Sequence, residues 1–131
     1  MILKRGDLIE RPGPWLSKHR GIFAGWDAYG RAIVIHNPKD GCVEYDLFEV
    51  FADGQQVSRI EQPPRTEFER NLIVARAHSQ LGKRYDILHF NCDHLVTYAL
   101  AGVPSSPQLT MALGFLAVVG IGIAFFSAAE A

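Results

Sequence analysis

The sequence predicts an α+β domain, a small antiparallel sheet with helices packed on it, followed by a C-terminal transmembrane helix. Three observations lead there. Short β-branched runs bounded by Gly, Pro, Asn and Asp clusters fill the first half of the chain. Two stretches with helical apolar spacing follow Pro63-Pro64. From Leu109 to Ala129 no residue is charged, and only Thr110 and Ser127 carry polar side chains. At 131 residues the chain can bury the core of one domain.

Gly6-Asp7-Leu8-Ile9-Glu10 alternates apolar and polar side chains and reads as a short strand. Arg11-Pro12-Gly13-Pro14 is expected to break it, and Trp15 to Lys18 to form a loop. His19 opens a second run, Gly21 to Gly25, that reads as a buried strand. Asp27 to Gly30 is a turn, and Ala32-Ile33-Val34-Ile35-His36 is β-branched, so the two runs form a hairpin. Asn37 to Gly41 turns the chain again. Cys42 to Phe51 is a third strand candidate and Gln56 to Ile60 a fourth, with Asp53-Gly54 as a hairpin turn between them. Thr66 and Glu69 form a capping box that opens a helix. Phe68, Leu72, Ala75 and Leu81 lie near one face of that helix, Ile73 and Ala77 widen it, and Arg70 and Arg76 belong to the other side. Gly82 ends it.

Asn91 is a good N-cap for a second helix. Leu95, Val96, Ala99 and Leu100 then follow helical spacing, and Gly102 with Pro104 stops it. Cys92 therefore falls in the first turn, beside free N–H groups and the positive end of the helix dipole. Both favour the nucleophilic thiolate, which Asp93 partly opposes. Most free cysteines are simply small buried hydrophobes. Metal binding by His89, Cys92 and His94 is a weaker reading, because no second spaced ligand pair is present. His94 cannot serve Cys92 as a base, since residues two apart on a helix do not face each other. A base must come from elsewhere in the chain.

A net charge of −1 implies no general attraction to nucleic acid. Two cysteines, Cys42 and Cys92, do not make a disulfide framework, which favours a reducing compartment. The first residues hold no apolar run long enough for a signal peptide. The expected organisation is a domain over 1–102, a Pro/Ser linker over 103–108 and a membrane anchor over 109–129. At about 1.5 Å per residue the anchor would span roughly 30 Å, the thickness of the hydrocarbon core. So small a domain could hardly surround a helix that is apolar all round. The domain is expected on the cytosolic side. Gly120 and Ala124 form a small-xxx-small pair, a hint of weak homo-association through the anchor.

Taken in order, Gly6-Asp7-Leu8-Ile9-Glu10, His19, Val34-Ile35-His36, Tyr85-Asp86-Ile87-Leu88 and Asn91-Cys92-Asp93-His94-Leu95-Val96 closely resemble the lecithin:retinol acyltransferase family. That family includes small phospholipase/acyltransferase members and bacterial relatives, with a signature of GDLIE, HWAIYVG, VVH and NCEHFV. The resemblance covers about residues 5 to 101. Asp93 replaces the usual glutamate and Arg20 a frequent tryptophan, while His19 and His36 are further apart than is usual. The resemblance implies a circularly permuted papain-like fold, with Cys92 as nucleophile, His19 as general base and His36 as the group that orients His19. Vertebrate members often carry a C-terminal anchor. A thiol needs such an imidazole to react at neutral pH, and the imidazole needs a polar partner to hold one tautomer.

The leading expectation is a membrane-anchored thiol acyltransferase or phospholipase that attacks a phospholipid or other acyl ester and forms a thioester. It requires neither cofactor nor metal. The same chemistry on another substrate class would make an amidase or peptidase. A third reading is a non-catalytic, membrane-anchored interaction module, against which the intact Cys/His/His set argues.

Overall fold

The computed structural model describes residues 1–102, 106–111 and 113. Its strands are β1 (Leu8–Pro12), β2 (Lys18–Trp26), β3 (Ala32–His36), β4 (Glu44–Leu47) and β5 (Ser58–Arg59). They form one antiparallel sheet in the order β4-β3-β2-β1-β5. The helices are α1 (Phe48–Ala52), α2 (Glu67–Ser79) and α3 (Cys92–Ala101). The α+β class with an antiparallel sheet is as the sequence predicts.

Some boundaries differ, each for a local reason. β1 runs on through Arg11 and Pro12, which pair with His19 and Lys18. The odd-numbered residues of β2 turn their amides to β1, as Phe23 does by bonding Asp7 and Gly6. Pro12 faces an even residue, so its missing N–H breaks no rung. The strand expected over Cys42 to Phe51 ends at Leu47, and α1 follows. Phe48 and Phe51 suit either periodicity, and a short apolar run does not settle which. Helix wins because the i, i+3 spacing turns both rings onto the sheet, where Phe51 is fully buried. Asp53 and Gly54 are left-handed, at φ 50° and 70°, but they end α1. β5 pairs with β1, not with β4, so no hairpin forms there.

The helix α2 begins as expected, with the Thr66 hydroxyl accepting from the Glu69 N–H at 3.1 Å. Its buried face is only part of the expected one. Ile73, Val74 and Ala77 are buried, whereas Phe68 is 76 % exposed and Leu72, Ala75 and Leu81 face solvent. The two arginines assigned to the outer side are its anchors. Arg70 donates to the buried Asp7 carboxylate at 2.6 Å, and Arg76 donates to the Ala99 and Leu100 carbonyls at the end of α3. Fixing those two bonds rotates the helix so that a narrower apolar stripe meets the core. Leu95, Val96 and Ala99 of α3 complete the cluster on that side of the sheet, and Phe51, Phe23, Ile9 and Val34 fill the other.

Gly102 ends α3 in the left-handed conformation, at φ 73°. Ser106 then caps a helical turn that opens at Pro107: its carbonyl accepts from the Thr110 N–H and its hydroxyl from the Leu109 N–H. The anchor expected over 109–129 lies, but for its first few residues, outside the described residues. Among those described, no helix is long and apolar enough to cross a membrane.

Candidate active site

His19 and His36 lie on adjacent strands, and His36 pairs in register with Gly21, two residues beyond His19. Strand alternation puts both rings on the α1 side of the sheet. There Phe51 packs against them, its ring centre 5.3 Å from His19 and 5.5 Å from His36. Gly21 makes room: a Cβ on it would come within 2.9 Å of both Phe51 and Val34. His19 Nε2 lies 2.8 Å from His36 Nδ1, and His36 Nε2 lies 2.7 Å from Asp46 Oδ2 on β4. The carboxylate can only accept, so His36 carries its proton on Nε2. Its bare Nδ1 then accepts from His19 Nε2–H. The nitrogen of His19 left able to take a proton is Nδ1.

Cys92 opens α3. Asn91 caps the helix, accepting from the Asp93 and His94 N–H groups, and His94 Nδ1 accepts in return from the Asn91 N–H. That bond gives His94 a structural task. Because β3 stops at His36, the β3-side edge of β2 is unpaired over residues 18–20. The Cys92 thiol takes that edge. Its Sγ lies 3.7 Å from the Lys18 carbonyl, and the Arg20 N–H also reaches it. The thiol is thus held against the peptide groups on both sides of His19.

Arg20 and Asp93, two of the residues that depart from the signature quoted above, meet here. Arg20 bridges Glu10 at 3.1 Å and the buried Asp93 at 3.0 Å. Asp93 also accepts from the Gln108 N–H, the Gln108 amide and the Ser106 hydroxyl. The Gln108 carboxamide continues onto the edge of β2, accepting from the Lys18 N–H at 2.9 Å and donating to the Lys18 carbonyl at 3.3 Å. It occupies the rung that a longer β3 would have filled.

Burial dominates the electrostatics. It pushes the Cys92 thiol up; the Arg20 N–H opposes this, the Asp93 carboxylate adds to it, and the Arg20 guanidinium and Asp93 N–H pull down. Burial, with His36 and Arg11 nearby, lowers His19 to about 3. Burial also lowers His36, against the pull of Asp46. At Cys92, burial, which favours the thiol, thus opposes the helix start, which favours the thiolate.

Cys92, His19 and His36 line one groove of about 1070 Å³ with Asp46, Tyr85 and Gln108. The structure thus joins His19 to His36 and sets Cys92 on the same groove. Sequence reasoning missed Asp46 and Gln108. Asp46 shares a strand face with Glu44, which pairs with His36, but register across β3 and β4 is not readable from spacing alone. Gln108 gave no signal, lying beyond the last helix cap. Cys42 is a half-buried free thiol. His89 bonds the exposed Asp86, so His89, Cys92 and His94 gather no ligand set. Among the described residues, His36, Glu44 and Asp46 alone bring ligand atoms within 4.8 Å of one another.

The family model for lecithin retinol acyltransferase matches residues 2–105. That is most of the chain, and the protein belongs to the lecithin retinol acyltransferase family. Membership points to acyltransferase or hydrolase chemistry as a class. A comparison with curated proteins gives no match.

Proposed function

We propose that the protein is a cysteine acyltransferase or phospholipase that acts on lipid esters through a thioester. The observation that carries this reading is the ordered chain from Asp46 through His36 to His19, with the Cys92 thiol seated against the backbone on either side of His19. As Sγ bonds the ester carbonyl carbon, its proton passes to His19 Nδ1. The Cys92 N–H makes no bond to the described residues and can donate to the developing oxyanion. Collapse of the adduct expels the alkoxide, which takes the proton from His19. Water or an acceptor amine or hydroxyl then attacks the thioester, giving its proton to His19 for return to Sγ. Because thiol and base start neutral, proton transfer accompanies attack.

The permuted papain-like fold is part of this proposal, supported by the order of two strand histidines before a helix-start cysteine. So is membrane attachment through residues 109–129 with the domain on the cytosolic side, supported by the uncharged sequence there. The test is intact mass after incubation with mixed phospholipids. The expected product is an acyl adduct on Cys92, absent from Cys92→Ala. No adduct, or one on Cys42, overturns the reading.

A further inference from the structure

Trp15 and Leu16 are each 100 % exposed, the most exposed large apolar side chains among the described residues. They stand on a stiff loop between β1 and β2. The Gly13 N–H donates to the Ser17 carbonyl at 2.9 Å, and both the N–H and the hydroxyl of Ser17 donate to Pro14. Trp15 itself is left-handed, at φ 58°, a conformation that costs a bulky side chain free energy. The loop is closed on itself by these bonds, and both side chains stand in solvent.

Trp15 lines the mouth of the Cys92 groove, and it is not alone there. Ile87, 59 % exposed, lines it from a second turn, which Asp86 caps by accepting from the Leu88 and His89 N–H groups. Leu109 lines it from a third segment and begins the uncharged run to Ala129. Lys18 and Lys39 line the same groove, together with Arg11, Glu44, Asp46 and Asp53. Three separate segments thus set apolar side chains around one opening.

We propose that the Trp15-Leu16 tip is an interfacial membrane anchor that inserts beside the groove and turns its mouth to the bilayer. The proposal rests on the lipid-ester reading above. Tryptophan suits the headgroup boundary, where its ring is buried and its N–H stays solvated. The lysines face anionic headgroups. Trp15, Ile87 and Leu109 come from separate segments around the groove, so insertion of the tip would bring its mouth towards the bilayer.

Trp26→Phe leaves Trp15 as the sole tryptophan of the two. The protein that cosediments with phosphatidylcholine/phosphatidylserine vesicles is examined by fluorescence, with bromines on the acyl chains. The expected result is a blue-shifted Trp15 emission quenched by the bromines. Emission unmoved by lipid, or failure to cosediment, overturns the proposal. A shift that follows protein concentration instead assigns the tip to a second copy and also overturns it. In the full chain, Leu16→Asp is expected to lower the ratio of vesicle-ester to short-chain-ester turnover about tenfold; an unchanged ratio counts against the tip. Lipid turnover with unquenched Trp15 keeps the lipid-ester reading and removes the tip. Quenching without turnover does the reverse.

Discussion

His19, His36 and Asp46 sit on three successive strands of one sheet, joined by bonds of 2.8 and 2.7 Å. Cys92 sits at a helix start, and its surroundings come from distant parts of the chain: the edge of β2, Arg20, and Gln108 from beyond α3. The side proposed to supply the base is positioned by strand register, which packing makes rigid. The side proposed to supply the nucleophile is positioned by side-chain hydrogen bonds onto an unfinished sheet edge. Damage to the first should remove a chemical step. Damage outside Cys92 itself to the second should misplace the thiol and cost less.

The largest expected effect is on the nucleophile. Cys92→Ala should abolish turnover and Cys42→Ala should leave it nearly intact, measured on a short-chain ester. Equal losses would mean that the thiol at the helix start is not the one that reacts. Next comes the base. His19→Ala should lower kcat/KM by about 10²–10⁴-fold, the usual range for a general base. His36→Ala should cost less, and His36→Gln should recover part of that loss by restoring a hydrogen bond. An inert His36→Ala beside a near-normal His19→Ala would reverse the two roles.

The places of Cys92, His19 and His36 in the fold were legible because each has a local signal: a helix cap followed by apolar spacing, the head of a β-branched run, and the end of another. The sheet was legible for the same reason, in β2 and β3 above all. What stayed hidden depends on pairing between segments. Asp46 works only because β4 stands beside β3 in one register. The buried face of α2 is set by Arg70 and Arg76 finding Asp7 and the end of α3, which no periodicity in α2 itself reveals. Phe48 and Phe51 fit a strand or a helix equally until the sheet gives them something to cover.

The relay sharpens the base side further. Asp46→Asn can present either an acceptor or a donor to His36 Nε2, so the tautomer is no longer enforced, and activity should fall, by less than in His19→Ala. Loss equal to that of His19→Ala would make Asp46 more than a positioning group. The pH profile carries a separate expectation. A base lowered to about 3 stays neutral as acid is added, so the acid limb should lie well below the ordinary imidazole value of about 6.5. Cys92 is raised, so its alkylation by iodoacetamide in the resting protein should climb only above about pH 8.5. An alkylation midpoint near pH 4 would instead reveal a preformed ion pair. Stability should fall as pH drops below about 6.5, because the unfolded chain then binds protons that folded His19 and His36 refuse.

The smallest effect expected is at Gln108, and it tests the nucleophile side directly. Its carboxamide joins both peptide groups of Lys18 to Asp93, so it ties the sheet edge beside the thiol to the residue after the thiol. Gln108→Ala should leave the fold intact and lower kcat about tenfold with little change in KM, the signature of a misplaced reacting group. Gln108→Glu should do worse than alanine. It keeps an acceptor for the Lys18 N–H but sets a second carboxylate against buried Asp93. Two truncations carry the argument into the chain after α3. Ending the protein after Ser106 removes Gln108 and should reproduce the alanine loss on a soluble short-chain ester. Ending it after Leu113 keeps Gln108 and should preserve that activity. Val118→Arg with Val119→Arg should likewise preserve it while releasing the protein from membranes, since a charge at a membrane-helix centre costs roughly 2.5–3.5 kcal/mol. If both truncations are equally active, Gln108 is packing alone and the thiol is placed by α3. If the shorter one unfolds, the turn that begins at Pro107 belongs to the core of the domain, and the tail is joined to the site through that turn.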